Sequence, residues 1–458
     1  MPDLLSAVAD RKAAEAAGLI AELAAKAGGT AYLVGGCVRD YLSGIAPHDL
    51  DIEVHGLAAD TLTKLLAAHF KLNLVGSSFG VIKLSGVEVD VSLPRRENKT
   101  GQGHRGFMVD FDPTLTVAEA AARRDFTVNA IMFNLAENRL VDPHGGMSDL
   151  EKKVIRPVSG HFSEDPLRVL RGMQFIARFG YAPAPELIGA CREMTPEGLA
   201  VERLGEEWKK LLLKGVKPSA GLEFLRETGW LKYYPELDAM VGCPQYHLWH
   251  PEGDVWTHTL LCLDAAAGMR SGNDADDLVF MLAVLCHDFG KPEVTEHEPD
   301  GRITSRNHEV TGGPPTRAFI ARLWRDTALT PAVLPLVENH LRPYTFFYEH
   351  ASDRAMRRLA VKVKRLDLLA KVAYADSAGR APTPPDKPPI DWFLERANAL
   401  EVAAAAPKPL ILGRHVLAMG VKPGPEVGKI TSRCFEAQLD GEFDDLPSGL
   451  EYLEKLLG

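Results

Sequence analysis

In the segment DLDIEV, Asp49 and Asp51 alternate with Leu50 and Ile52. On a strand, both carboxylates would leave one face while the apolar residues enter the core. Two carboxylates held so close repel each other unless a divalent cation lies between them, although a merely solvated strand face has the same pattern. A second stretch, Val87 to Leu93, places Glu88 and Asp90 on one face, and either could supply a third carboxylate. Two Mg²⁺ ions bridging such groups and a nucleoside triphosphate would activate a 3′-hydroxyl and neutralise the pyrophosphate leaving group. Upstream, Gly35-Gly36 follows the strand-like AYLV. Without Cβ atoms the backbone N–H groups can approach a phosphate, and Arg39 on the next turn could add a cation; a plain strand-to-helix turn would read the same.

A second concentration of chemistry lies further along. Of the 15 histidines, His247, His250, His258, His287, His297, His308, His340 and His350 fall between residues 245 and 350, which favours a site over scattered core histidines. His287-Asp288 follows the apolar LVFMLAVLC and precedes Phe289-Gly290-Lys291, so an imidazole and a carboxylate stand at the end of a core helix.

GGCVRD followed by HDLDIEV resembles the nucleotidyltransferases of the DNA polymerase β superfamily, specifically the bacterial class II tRNA nucleotidyltransferases (CCA-adding enzymes) and their poly(A) polymerase relatives. ARRDFTVNAI, LVDPHGGMSDL, EDPLRVLRGMQFIARF and VERLGEEW continue the match in order. The resemblance implies that Asp49 and Asp51 bind Mg²⁺; Asp90, where many family members lack a carboxylate, is expected as a further catalytic carboxylate from its place on the second strand. It implies that Gly35, Gly36, Arg39, Arg123, Arg124, Asp125 and Asn129 hold the ribose and phosphates. Asp165 and Arg168, at i,i+3 on an expected helix, would share a face. In the family such a pair reads the incoming base, the carboxylate accepting from the exocyclic amino group of C or A; an intrahelical ion pair is the alternative. The order His258, His287-Asp288, Asp376 resembles the HD phosphohydrolases, whose four side chains bind a metal, and His308 and His340 match the extra histidines of binuclear sites. Imidazole and carboxylate together suit Mn, Fe, Co or Ni better than Mg. LILGRHVLAMGVKPGPEVGKI, which suggests a helix-turn-helix junction, resembles a further segment of the same enzymes. The expected activity is therefore transfer of CMP and AMP from CTP and ATP to the tRNA 3′ end, with an HD phosphohydrolase as a second centre. A-adding, CC-adding or poly(A) polymerase activity is the alternative, and an HD phosphohydrolase with an RNA-binding head a more distant one.

The elements that must position these groups are an N-terminal helix over residues 4 to 27, stopped by Gly28-Gly29, and a small mixed sheet over about residues 30 to 145. Beyond Asp149 the pattern is helical, interrupted by CPQYHLWHPEG and by APTPPDKPPI, the latter expected as a stiff, extended linker. The expected fold is α+β: a polymerase-β-like head, then an all-α neck and HD domain. The expected segments are 1–29 (helix), 30–150 (head), 151–243 (neck), 244–380 (HD) and 381–458 (linker and tail).

With 62 acidic against 52 basic residues the net charge is −10, which excludes a polycation whose bulk charge drives RNA binding. Binding would have to use one basic side, from the Gly-rich loop of Arg95, Arg96, Lys99 and Arg105 through Arg123, Arg124, Arg168, Arg171 and Arg178 to Lys209 and Lys210. That loop, residues 94–106, could serve as a flap near the triphosphate or the RNA end, or as an exposed linker. The longest apolar run, Leu278 to Cys286, is far below the roughly 20 residues that span a bilayer. No signal-peptide pattern precedes Asp10-Arg11-Lys12, and the six cysteines form no CxxC pair, so a cytoplasmic protein with buried thiols, no membrane contact and no obligate protein partner is expected.

Overall fold

The computed structural model describes residues 4–47, 49–73, 81–99 and 107–458, and describes side chains outside 96–99 and 107–110. The chain divides into two units: Met1–Gly215 with Ala220–Tyr233, and Val216–Ser219 with Tyr234–Gly458.

The N-terminal unit is built on strands β1 (Thr30–Val34), β2 (Leu50–His55), β3 (Leu72–Asn73), β4 (Val81–Leu84), β5 (Val89–Ser92), β6 (Arg95–Lys99), β7 (Phe107–Phe111), β8 (Met132–Asn134) and β9 (Arg139–Val141). Seven of them form one sheet in the order β3-β4-β5-β2-β1-β8-β9. The β2–β5 pair is parallel and the other neighbours are antiparallel, so the sheet is mixed, as expected. On β2 the alternation holds: Leu50, Ile52 and Val54 enter a core shared with Leu33, Val38, Val89, Val91 and Ile131. Asp51, Glu53 and His55 therefore point to the opposite face.

The helix Arg11–Lys26 closes that core with Ala13, Ala17, Ile20 and Ala24. It starts later than its composition suggests because Asp10 accepts from the Lys12 N–H and caps it, leaving Leu4–Ala7 as a separate 3₁₀ turn. Residues 95–99 are likewise no loop: β6 pairs antiparallel with β7. Residues 100–106, with Arg105, lie outside the described residues, and the side chains of Arg96 and Lys99 are not described. After the sheet, helix Leu167–Phe179 ends at Gly180 (φ 65°) and packs against Val201–Lys214.

The C-terminal unit is helical apart from the ribbon Thr295–His297 with Ile303–Ser305. Helices Val255–Ala267, Asp274–Cys286 and Leu366–Ala378 pack together. Asp274–Cys286 starts where Asn273 accepts from the N–H groups of Ala275 and Asp276. The proline-dense segment is not an extended linker. Lys387-Pro388-Pro389-Ile390 forms the first turn of helix Lys387–Ala399, where a missing N–H costs nothing, and Phe393 of that helix is buried near Phe346. Helices Gly413–Ala418, Pro425–Asp440 and Leu446–Leu457 close a small core of their own around Val416, Cys434, Phe443 and Leu453. No described helix is long and apolar enough to cross a membrane.

Candidate functional sites

The head carries the first site. Parallel pairing sets Asp51 directly beside Asp90. Asp49 lies just before β2, exposed. Partial desolvation, with Asp90 and Asp49 nearby, raises the Asp51 carboxyl against the opposing pull of Arg124. Gly35 caps helix Gly36–Leu42 at φ 74°, and a Cβ there would stand 3.2 Å from Arg124 Nη1 and 3.6 Å from Asp51 Oδ2. The glycine thus lets Arg124 and Asp51 converge on the end of β1. Asp90 also accepts from Lys83 Nζ at 2.7 Å. Glu53, which the sequence reading passed over, is buried, bonded to His55 Nε2 at 2.9 Å and paired with Arg124 at 3.3 Å. Its signal was present as the third acidic residue of the 49, 51, 53 alternation.

Arg39 is drawn into the interior. It is 4% exposed, with its guanidinium 5.0 and 4.7 Å from the Phe175 and Phe179 ring centres, and it donates to Asn129 Oδ1 at 2.6 Å and to Asp40. Aromatic faces, the Asn129 amide and the Asp40 carboxylate satisfy the cation inside the protein. Asn129 passes the contact on, its Nδ2 donating to Asp125 at 2.9 Å, and Asp125 accepts from Arg171 Nε at 2.7 Å. Burial raises the Asp125 carboxyl, but Arg171 and Asn129 outweigh it and hold the group below the usual range. Arg171 is therefore the counter-charge of a buried carboxylate. Asp125 and Asn129 belong to this interior relay.

Asp165 and Arg168 share no helix face. Asp165 precedes Pro166 in an extended conformation, and the helix begins at Leu167. The residue before a proline is driven out of the α region, and this ends the i,i+3 argument. Asp165 accepts from the Leu167 N–H at 3.1 Å and from Arg203 at 2.8 Å. Arg168 donates to the carbonyls of His161 and Arg123. Arg123 lies 3.9 Å from Glu164. Arg178 lies over Phe179, and Lys210 pairs with Glu207, while Lys209 is half-buried on the same helix.

The C-terminal unit gathers all six expected metal ligands. His258, His287 and Asp376 form one buried group with Cys262, and Asp288, His308 and His340 form another, the ligand atoms of each group lying within 4.8 Å of one another. Cys262 was missed, although it stands one helical turn after His258, on the same face. The Nδ1–H groups of His287, His308 and His340 each donate at 2.7 Å to the carbonyl three residues earlier: Val284, Ser305 and Val337. Every Nε2 is thereby turned inward as a lone pair when its ring is neutral. The Nε2 atoms of His308 and His340 face each other at 3.3 Å. Burial, reinforced by His287 and His308, lowers His340 to about 3, so its ring is neutral. Both Asp288 oxygens and His287 Nε2 are buried without a well-formed hydrogen bond. Facing lone pairs and a buried carboxylate whose oxygens are held by ion pairs without well-aligned hydrogen bonds fit a divalent cation. Burial raises Asp288, yet His287 and Lys291, the latter 2.7 Å away, hold it well below the carboxylate range. Glu252, also missed, accepts from His258 Nδ1 at 2.7 Å and His250 Nδ1 at 2.8 Å.

Gly290 explains the residue after His-Asp-Phe: a Cβ there would fall 2.0 Å from the His308 carbonyl oxygen and 2.5 Å from the Gly312 nitrogen. Gly290→Ala should displace His308 and lower divalent-metal affinity about 10- to 100-fold, the range for groups that orient ligands. Mn²⁺ titration followed by thermal unfolding measures this, and an unchanged affinity would exclude His308 from the metal site.

Comparison with known proteins follows this division. A family described as Poly A polymerase head domain matches residues 31–156, "Probable RNA and SrmB- binding site of polymerase A" matches 180–241, and HD domain matches 255–372. The Multifunctional CCA protein of Xanthomonas campestris pv. campestris (strain B100) is 35% identical over 412 residues, covering 87% of this chain and 95% of that protein. The Multifunctional CCA protein of Xylella fastidiosa (strain 9a5c) is 37% identical over 367 residues, covering 76% and 84%. Among solved structures, the Thermotoga maritima CCA-adding enzyme complexed with tRNA aligns at TM-score 0.60 and 18% identity over 99% of this chain and 98% of that one. The Bacillus stearothermophilus CCA-adding enzyme in complex with CTP gives 0.59 and 20% over 97% of each. These structures share the fold.

Proposed function

The chain belongs to the multifunctional CCA protein family, and on that premise we propose that it is a template-independent tRNA nucleotidyltransferase that adds or repairs the 3′-terminal CCA from CTP and ATP, with an HD phosphohydrolase as its second centre. The observation that carries the first activity is the convergence of Asp51 and Arg124 on Gly35, with Asp90 paired in register beside Asp51. Asp49, Asp51 and Asp90 would hold Mg²⁺, which when bound lowers the pKa of the primer hydroxyl and neutralises the departing pyrophosphate. Arg124 balances the carboxylates and sits where a triphosphate would approach Gly35. Asp165, fixed by the Leu167 N–H and Arg203, accepts from the amino group that C and A share, and Arg168 supplies donors to ring acceptors. U and G present a carbonyl where Asp165 needs a donor, so they are refused.

In the HD centre, His258, His287, Asp288, Asp376, His308 and His340 would hold Mn, Fe, Co or Ni, which when bound supplies an activated water for attack on a phosphate ester. Lys291 and Arg380, paired with Asp288 and Asp376, line the same cavity and would neutralise the ester's charge. A protein whose substrate is tRNA is placed in the cytoplasm. The deciding assay supplies each NTP singly, then CTP with ATP, to tRNA transcripts ending in the discriminator base, C or CC. Addition of two C and one A that then stops is expected. Incorporation of A alone, or an unlimited A tail, would instead make the protein an A-adding enzyme or a poly(A) polymerase.

A further inference from the structure

The mouth of the HD cavity carries an aromatic side chain that folding does not explain. Trp249 is 67% exposed and Leu248 beside it 68%. Leaving a side chain of that size in water forgoes the burial that stabilises most tryptophans. Trp249 nevertheless lines the same cavity of about 240 Å³ as Asp288, Lys291, His340 and Arg380. Its backbone is also held in place. The Trp249 and His250 N–H groups both donate to the Tyr246 carbonyl at 3.0 Å. Gln245, at the start of the turn, accepts from Lys291 at 2.7 Å and donates to the Gly253 carbonyl. His250 is tied through Glu252 to the metal-site residue His258. The network that orders the metal and phosphate groups therefore also anchors the backbone that carries an exposed indole at their entrance.

We propose that Trp249 is a stacking platform for the base of a nucleoside phosphate ester whose phosphate enters the HD cavity; this rests on the reading of that centre as a phosphohydrolase. The cavity is smaller than the roughly 300 Å³ that encloses a drug-sized ligand whole. Phosphate and part of a sugar fill it, and a base attached to that sugar is left at the mouth, where a flat apolar face on an anchored turn meets it. Every base has a π-face, so the platform selects for the presence of a base and not for its identity. The ester can come from a free nucleotide or from the 3′ end of an RNA.

The test uses the full-length protein with Mn²⁺. Substrates are the 2′-, 3′- and 5′-monophosphates of adenosine, ribose 5-phosphate as the base-free control, and a short RNA bearing a 3′-terminal phosphate. Trp249→Ala should raise KM for the preferred nucleotide about tenfold, with kcat unchanged, because stacking away from the reacting atoms is uniform binding. Trp249→Phe should restore most of the affinity, and neither variant should alter ribose 5-phosphate kinetics or nucleotide addition to tRNA. Preference between free nucleotide and RNA end identifies the source. Wild-type fluorescence should be quenched by saturating adenosine monophosphate, and the part of the quench lost in Trp249→Phe reports stacking alone, independent of nucleotide bound in the head. Unchanged KM in Trp249→Ala, or no Trp249-dependent quench, would overturn the proposal. If no ester is hydrolysed at all, the phosphohydrolase reading fails, and the quench still decides whether a base stacks on Trp249.

Discussion

Asp51→Ala will lose nucleotide incorporation by at least about 10³-fold, on the scale of removing one preorganised electrostatic group from a charge-transfer site, while thermal stability does not fall. Both halves of this expectation follow from the same geometry. Asp51 is paired in register with Asp90, with Asp49 two residues away, and its carboxyl is raised by partial desolvation and by those two charges. The fold gains nothing from such an arrangement. Removing Asp51 relieves repulsion, and its side chain leaves the face opposite the core formed by Leu50, Ile52 and Val54. A residue that is costly to the fold and indispensable to the reaction is the usual mark of a site selected for function over stability. HD phosphohydrolysis in Asp51→Ala should equal wild type, since the two centres lie in different units. Retained incorporation with a normal pyrophosphate burst would remove Asp51 from the metal site and with it the proposed mechanism of the head.

What could be read from the sequence, and what could not, divides along physical lines. The carboxylate face of β2 was legible because side-chain alternation is a property of the strand itself, requiring nothing from elsewhere in the chain. The HD ligands were legible as residue types in order, and the structure gathers His258, His287, Asp288, His308, His340 and Asp376 from several helices into one region. Arg39 could not be placed, because its destination was decided by Phe175 and Phe179, far along the chain, which offer its guanidinium two aromatic faces. The ion pair of Arg171 could not be foreseen either, because the burial of its partner Asp125 is a tertiary fact. That Asp165 stands off the helix was foreseeable: Asp165-Pro166 carries its own signal that the helix cannot yet have begun. The proline-rich segment misled in the opposite sense, since Pro388 and Pro389 fall in the first turn, where prolines are tolerated in a helix.

Asp288→Asn will abolish HD phosphohydrolysis and leave CCA addition intact, and its most informative readout is the thermal response to metal. Asp288 is buried and in contact with Lys291 at 2.7 Å and with His287 and His308 at 3.3 Å each. Without a cation those contacts only partly balance the site: His308 and His340 still face each other through Nε2, and both Asp288 oxygens lack a good hydrogen bond. A divalent ion would answer these defects at once, and would therefore favour the folded unit over the unfolded chain. Mn²⁺ at about 100 times its Kd adds roughly 2.7 kcal/mol, or about 5–10 °C in the transition of the C-terminal unit. Asparagine keeps the shape of Asp288 but removes the charge that balances Lys291. Unpairing a buried cation costs about 3–5 kcal/mol when its partner is lost, so the apo variant should also melt earlier than apo wild type. The two effects separate cleanly: a lower starting transition reports the Lys291 pair, and the lost metal-dependent rise reports ligation. A full Mn²⁺-induced rise in Asp288→Asn would mean that the ion is held by His258, Cys262, His287 and Asp376 without Asp288, and that the second group of ligands does not form part of the same centre.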